Sequence, residues 1–210
     1  MLDFEGGAIS GDGGLLLLGQ LDRRLGLTRR AGKVLGGFET RQRGKIRHLA
    51  ADMFRQRVLS LAAGHEDLND QLEFSKDPLL QSAVGRDGAL APPSTLCRFE
   101  NRATRELNVA LSRLMVEQFV ESFAEAPEEL VLDFDATDDT VHGMQEGRFF
   151  HGYYDSYCFL PLYVFCGDRL LVAYLRSSDC DGAKHAWAIL KLLVARFRRQ
   201  WPGFLERNTS

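Results

Sequence analysis

Apolar residues keep one spacing up to about residue 124 and another from Leu130 onward, and this switch limits the fold more than any single motif does. Before it they recur three and four apart, the repeat of a helix with one buried face. After it they alternate or run together in short blocks, as strands do. Residues 130–136 (LVLDFDA) read as a strand, with residues 137–142 as the turn that follows. Residues 158–166 (CFLPLYVFC) read as a second strand, in which Pro161 argues for an edge or a bulge. Gly167 and Asp168 form a two-residue hairpin turn of the Gly-X kind that leads into a third strand over 170–176. Asp179 or Asp181 caps a helix over 183–199 whose apolar face is Trp187, Leu190, Val194, Phe197 and Trp201. The second part of the chain is therefore β-β-β-α.

The first part is helical throughout. Residues 13–26 read as a short helix ending at Gly26, and the Gly- and Arg-rich stretch 28–43 as loop or irregular helix. Residues 45–63 carry Ile46, Leu49, Ala50, Met53 and Leu61 at helical spacing, and Gly64 closes them. Residues 66–84 give one or two short helices interrupted at Pro78, residues 85–93 a loop, and a further helix starts near Ser94 or Thr95. The strongest helix is 104–124, with Thr104 as its cap and Leu107, Leu111, Leu114, Met115 and Phe123 as its apolar stripe. The expected organisation is a helical region over 1–126 and an α+β or α/β domain over 127–210.

With 210 residues, 45% of them apolar, the chain can build one substantial core or two small ones. No run approaches the roughly 18 apolar residues of a membrane span. The N-terminus is acidic and Gly-rich, unlike a secretory leader, so the expected compartment is the cytoplasm. Cys97, Cys158, Cys166 and Cys180 form no CxxC pair and have no His at a zinc-ligand offset, which predicts free thiols. The net charge of −3 hides a strong asymmetry. Residues 22–57 hold 11 Lys/Arg against Asp22, Glu39 and Asp52, a balance of +8. Residues 101–146 hold 11 Asp/Glu against three Arg, a balance of −8. A basic block ahead of an acidic centre fits a DNA-contacting region beside a metal site, with Arg41, Arg43, Lys45 and Arg47 as candidate contacts.

The sharpest chemical feature is Asp133, Asp135, Asp138 and Asp139 at the end of the first strand. Alternation puts Val131, Asp133 and Asp135 on one face, with Leu132 and Phe134 on the other. Two carboxylates on one face of a buried strand repel unless neutralised, and a bound cation such as Mg²⁺ neutralises them economically. Asp138 and Asp139 suit an Asp-rich turn instead. Strand parity does not choose between Asp133 and Asp135, although Asp135 lies nearer the strand end.

Several ordered motifs carry a resemblance. VLDFDATDDTVHGMQEG, FLPLYVF and AKHAWAILKLL resemble bacterial insertion-sequence transposases of the DDE class, group 1, whose catalytic domain is ribonuclease-H-like. PPSTLCRFENR is similar to the stretch preceding that domain, and SGDGGLLLLGQLDRRLGL to the family's N-terminal opening. The resemblance implies DNA transposition by cleavage and strand transfer at terminal inverted repeats, with Mg²⁺ (or Mn²⁺) held by two Asp and one Glu. It carries the first aspartate over to Asp135, in the DATD segment, with Asp133 as a second choice or a supporting carboxylate. Arg148 and Lys184 are further candidate phosphate contacts. The same resemblance implies a second aspartate on a strand after a helix like 183–199, and a glutamate much later. Here Trp201, Pro202 and Gly203 lead into a polar FLERNTS. The expectation is a truncated ribonuclease-H-like unit, inactive alone, with DNA or subunit binding kept by residues 22–57. Two other readings compete: a compact Mg²⁺ nuclease using Asp133, Asp135 and Glu146, and a helical DNA- or protein-binding module without catalysis.

Overall fold

The computed structural model describes residues 10–202, with the backbone alone at Arg43. Residues 1–9 and the FLERNTS tail lie outside the described residues. The chain divides into two compact units, Met1–Leu111 and Ser112–Ser210.

The first unit is built of helices. α1 (Leu15–Leu25) stops at Gly26, whose φ of 69° is left-handed and whose N–H bonds back to the Asp22 carbonyl. α2 (Leu27–Gly37) begins at once, so the stretch expected to be irregular is a regular helix. Its buried residues, Thr28, Ala31 and Leu35, are small or spaced by a turn. Its Gly32 lets α3 (Ala50–Ala62) come close: a Cβ there would sit 2.9 Å from the Ala51 Cβ. The Asp22 carboxylate accepts from the Thr28 N–H (2.9 Å) and hydroxyl (2.5 Å) and fixes the α1–α2 corner. Before α3 the chain makes only a short 3-10 turn, Arg43–Lys45, so that helix starts later than its apolar spacing suggests.

α4 (Gln71–Phe74) and α5 (Pro78–Val84) follow. Asp77 caps α5 by accepting from the Leu79 and Leu80 N–H groups, and Pro78 occupies the first turn, where its missing N–H costs nothing. Pro93 likewise opens α6 (Pro93–Glu100), slightly ahead of the expected hydroxyl cap. Leu15, Leu59, Phe74, Leu80, Val84 and Leu90 form one core cluster; Met53, Ala91 and Leu96 form another. A buried amide ties them. The Gln56 side chain donates to Gln71 Oε1 (2.8 Å) and the Ala91 carbonyl (2.9 Å), and accepts from the Ala91 N–H (3.0 Å).

α7 (Arg105–Glu121) is capped by the Thr104 hydroxyl, which accepts from the Leu107 N–H at 3.2 Å, as its sequence predicts. Packing divides inside this helix, whereas composition changes near residue 127.

In the second unit the strands are β1 (Asp133–Ala136), β2 (Asp139–Thr140), β3 (Phe149–His151), β4 (Ser156–Phe159), β5 (Leu162–Cys166) and β6 (Arg169–Tyr174), followed by α8 (Ala186–Gln200). One antiparallel sheet has the order β1-β5-β6, with Asp133 opposite Phe165 and Asp135 opposite Tyr163. Followed by α8, it supplies the expected β-β-β-α succession. A smaller sheet, β2-β4-β3, is inserted between β1 and β5. The architecture is mixed α+β. The expected second strand is split at Leu160 and Pro161, and its halves join different sheets. The expected turn over 137–142 contains β2. The hairpin turn is as predicted: Gly167 has φ +56°, the geometry a Gly-X turn needs.

Val116, Phe119 and Val120 of α7 pack with Val164, Leu171, Leu193 and Phe197 to form this unit's core. The buried stripe of α8 runs through Ile189, Leu193, Phe197 and Trp201, rotated from the expected face. Trp187 is left 66% exposed under the Lys191 ammonium, 5.1 Å from its ring centre.

Candidate functional site

β1 turns Phe134 and Leu132 into the core of its unit and leaves Asp133 and Asp135 on the exposed face. The two aspartates share a face and lie roughly 7 Å apart along the strand. Their exposure corrects the argument from burial: water already solvates both carboxylates, so no desolvation penalty demands a cation. What remains is a pair of hard oxygen donors side by side on an edge strand, which suits a divalent cation in kind. In number they are insufficient alone. Among the described residues no group of three or more His, Cys, Asp or Glu side chains could hold a metal ion. Glu146, exposed in the turn before β3, therefore does not complete a compact nuclease site.

The end of β1 is built from groups that the sequence did not single out. The Tyr154 hydroxyl donates to the Ala136 carbonyl at 3.3 Å. Burial, and then the nearby carboxylates of Asp138 and Asp135 among others, push this phenol above its ordinary value and keep it a donor. Asp138 is engaged in the turn, where it accepts from the Thr140 hydroxyl at 3.0 Å. Gly182 lies against Ala136, at 3.5 Å from its Cβ to a side-chain carbon built at the glycine. That turn is held by Arg176, 5% exposed, whose Nη1 donates to the Gly182 (3.2 Å) and Lys184 (2.5 Å) carbonyls. Its Nε donates to the Leu160 carbonyl at 2.8 Å. The backbone of Lys184 is thus fixed beside β1 while its side chain is exposed. Arg148 is stacked over the Tyr157 ring at 4.2 Å and contacts Met144 Sδ at 2.9 Å, so it belongs to the small sheet.

In the helical unit the basic block is sorted by the fold. Arg55 faces inward, donating to Thr28 Oγ1 (2.8 Å) and the Val84 carbonyl (2.9 Å). Arg57 pairs with Glu100 at 2.6 Å. Arg41 forms a fork onto Glu39, with Nε and Nη2 at 2.8 and 2.5 Å. This pair holds the Glu39 carboxyl down at about 2 and raises Arg41. Lys45 and Arg47 have no ion-pair partner among the described residues and line a cleft with Arg41 and His48. Burial, then the charges of Arg47 and Arg86, lower the His48 imidazole below its ordinary value and keep it neutral near pH 7.

A family model described as transposase DDE domain, group 1, matches residues 1–205. The chain belongs to this transposase family. No curated protein and no solved structure matches the chain. Membership supports a role in transposition and makes DNA the partner class. Among the described residues of the transposase no helix is long and apolar enough to cross a membrane. The cysteines are free thiols, as expected. Sequence reasoning missed Tyr154 and Arg176. Tyr154 carried no usable signal, because its role depends on a fold that returns it to β1. Arg176 could have been suspected as a cation ending the apolar run LLVAYL.

Proposed function

We propose that this chain acts in DNA transposition through metal-dependent strand cleavage and transfer, with Asp135 as the first metal-binding carboxylate and Asp133 beside it. One observation supports the reading: in a chain of this transposase family, β1 presents both carboxylates to solvent at a sheet edge. Asp135 and Asp133 would hold Mg²⁺ or Mn²⁺ together with DNA phosphate oxygens. When bound, the ion activates a water or 3′-hydroxyl and stabilises the leaving oxygen.

The rest of the donor set has a natural place. β1 and β6 are the edges of their sheet and run parallel to each other, since both are antiparallel to β5. A strand reached through a helix after β6 would run parallel to it and could pair with the free edge of β1. A carboxylate on that strand would lie beside Asp135. Arg41, Arg43, Lys45 and Arg47 contact DNA from the helical unit, and Arg148 and Lys184 from the second unit. The setting of this work is the cytoplasm.

Mn²⁺ titration of the full chain with a DNA oligonucleotide, followed by the spin-resonance signal of free Mn²⁺, tests the reading. Asp135→Asn should weaken Mn²⁺ binding at least about fivefold, and Asp133→Asn less. Unchanged binding in Asp135→Asn would remove Asp135 as a ligand.

A further inference from the structure

The helical unit carries a cleft of about 460 Å³ whose rim and floor differ in chemistry. Arg41, Lys45, Arg47, Lys76, Arg98 and Arg102 stand on its rim, and among the described residues no carboxylate lines it. These cations come from the turn before α3, from the residues after α4, and from α6 and its end, so no single stretch of sequence shows the cluster. Arg41 is paired with Glu39, and Lys76 with Glu73 at 2.9 Å. Lys45, Arg47, Arg98 and Arg102 have no ion-pair partner among the described residues, and a concentration of like charge in a concavity raises the local density of anions.

Between the cations the floor is mixed, with His48, Ser75 and Thr95 beside apolar side chains. Met53 and Leu90 are buried beneath it, while Leu72 (62% exposed), Pro92 and the half-buried Phe99 face the opening. A B-form duplex hides its bases behind a wall of phosphates; it could touch the rim but would leave the floor in water. An unpaired nucleotide satisfies both parts, with phosphates on the cations and a base on the aromatic and aliphatic side chains of the floor. The volume is within the range of small-ligand sites, sufficient for a nucleotide and too small for a duplex.

We propose that this cleft binds one or two unpaired nucleotides of DNA, their phosphates held by Arg98, Arg102, Lys45 and Arg47 and a base seated against Leu72, Pro92 and Phe99. The assignment rests on DNA being the partner and adds where, and in what form, DNA is held.

The test is fluorescence anisotropy of the full chain with three probes at one salt concentration: a blunt duplex, the same duplex with a four-nucleotide tail, and a tail made of abasic sites. The tailed duplex should bind about tenfold tighter than the blunt one, and the abasic tail should lose most of that gain. Arg98→Ala with Arg102→Ala should lower the affinity for the tailed probe and flatten its salt dependence. Leu72→Ser, at an exposed position, should reduce the preference for the tail and leave blunt binding unchanged. Equal binding of blunt and tailed probes would overturn the cleft assignment while DNA remained the partner. No binding to any DNA would overturn both. Displacement of the tail by polyglutamate as readily as by DNA would overturn it in favour of a general acidic partner.

Discussion

In the helical unit Arg41, Arg55, Arg57 and Arg86 are each tied to Glu39, Asp22, Glu100 or Asp52, and Gln56 is buried with its amide satisfied. On β1 of the second unit, Asp133 and Asp135 face solvent with no cation paired to them among the described residues. The helical unit spends these groups on holding helices together, while Lys45, Arg47, Arg98 and Arg102 keep no ion-pair partner among the described residues; β1 leaves both of its carboxylates free. A charge balance counted along the sequence therefore overstates what is available to a ligand in the first region. Buried or paired groups stabilise the fold, and unpaired exposed ones are open to selection for chemistry.

The contrast breaks most visibly at Gln56. Gln56→Ala strands the Ala91 N–H and carbonyl in the core and removes the nearer donor to Gln71 Oε1, and should cost about 2–4 kcal/mol in urea unfolding. A cost below about 1 kcal/mol would mean that water replaces the amide and that the helical unit is less tightly specified than its geometry suggests.

A smaller effect is expected from the Glu39–Arg41 fork. Glu39 ionises at a lower pH in the folded chain than its ordinary 4.5, about 2. The stability it adds is therefore fully present above about pH 4.5 and is lost as pH falls toward 2. Thermal unfolding measured across that window should show a steeper decline for the native chain than for Glu39→Gln. Parallel curves would show the fork to be idle.

The smallest effect sharpens the other side of the comparison. Asp133→Asn and Asp135→Asn should each change stability by no more than about 0.5 kcal/mol, since neither side chain is buried or paired. A loss well beyond that in the urea unfolding midpoint would reveal a structural duty for the strand face.

Much of the fold is legible in the sequence. The helix capped by Thr104, the helix ended by Gly26 and the Gly167 hairpin follow from local chemistry, which acts within a few residues. α2 was illegible because its buried face is Thr28, Ala31 and Leu35, too small and mixed to register as a stripe; tertiary contact at Gly32 decides it. The small sheet was missed because strands of two to four residues carry no usable alternation. At the candidate site, Asp133 and Asp135 stood out, but that their face is the open one depends on α7 and α8 covering the opposite side. In the cleft, Lys45 and Arg47 lie in the basic block, whereas Lys76, Arg98 and Arg102 arrive from other helices and only the fold collects them.

The placement of the small sheet between β1 and β5 has a kinetic consequence. β5 and β6 are joined by a two-residue turn and can pair within microseconds. β1 reaches β5 only after residues 137–161 have been looped out, and it then gains one neighbour rather than two. It is therefore the last strand to dock during folding and the first to open in the native state. Backbone amides of residues 133–136 should exchange with solvent faster than those of 163–165. The strand that carries both aspartates is the part of its sheet most readily rearranged.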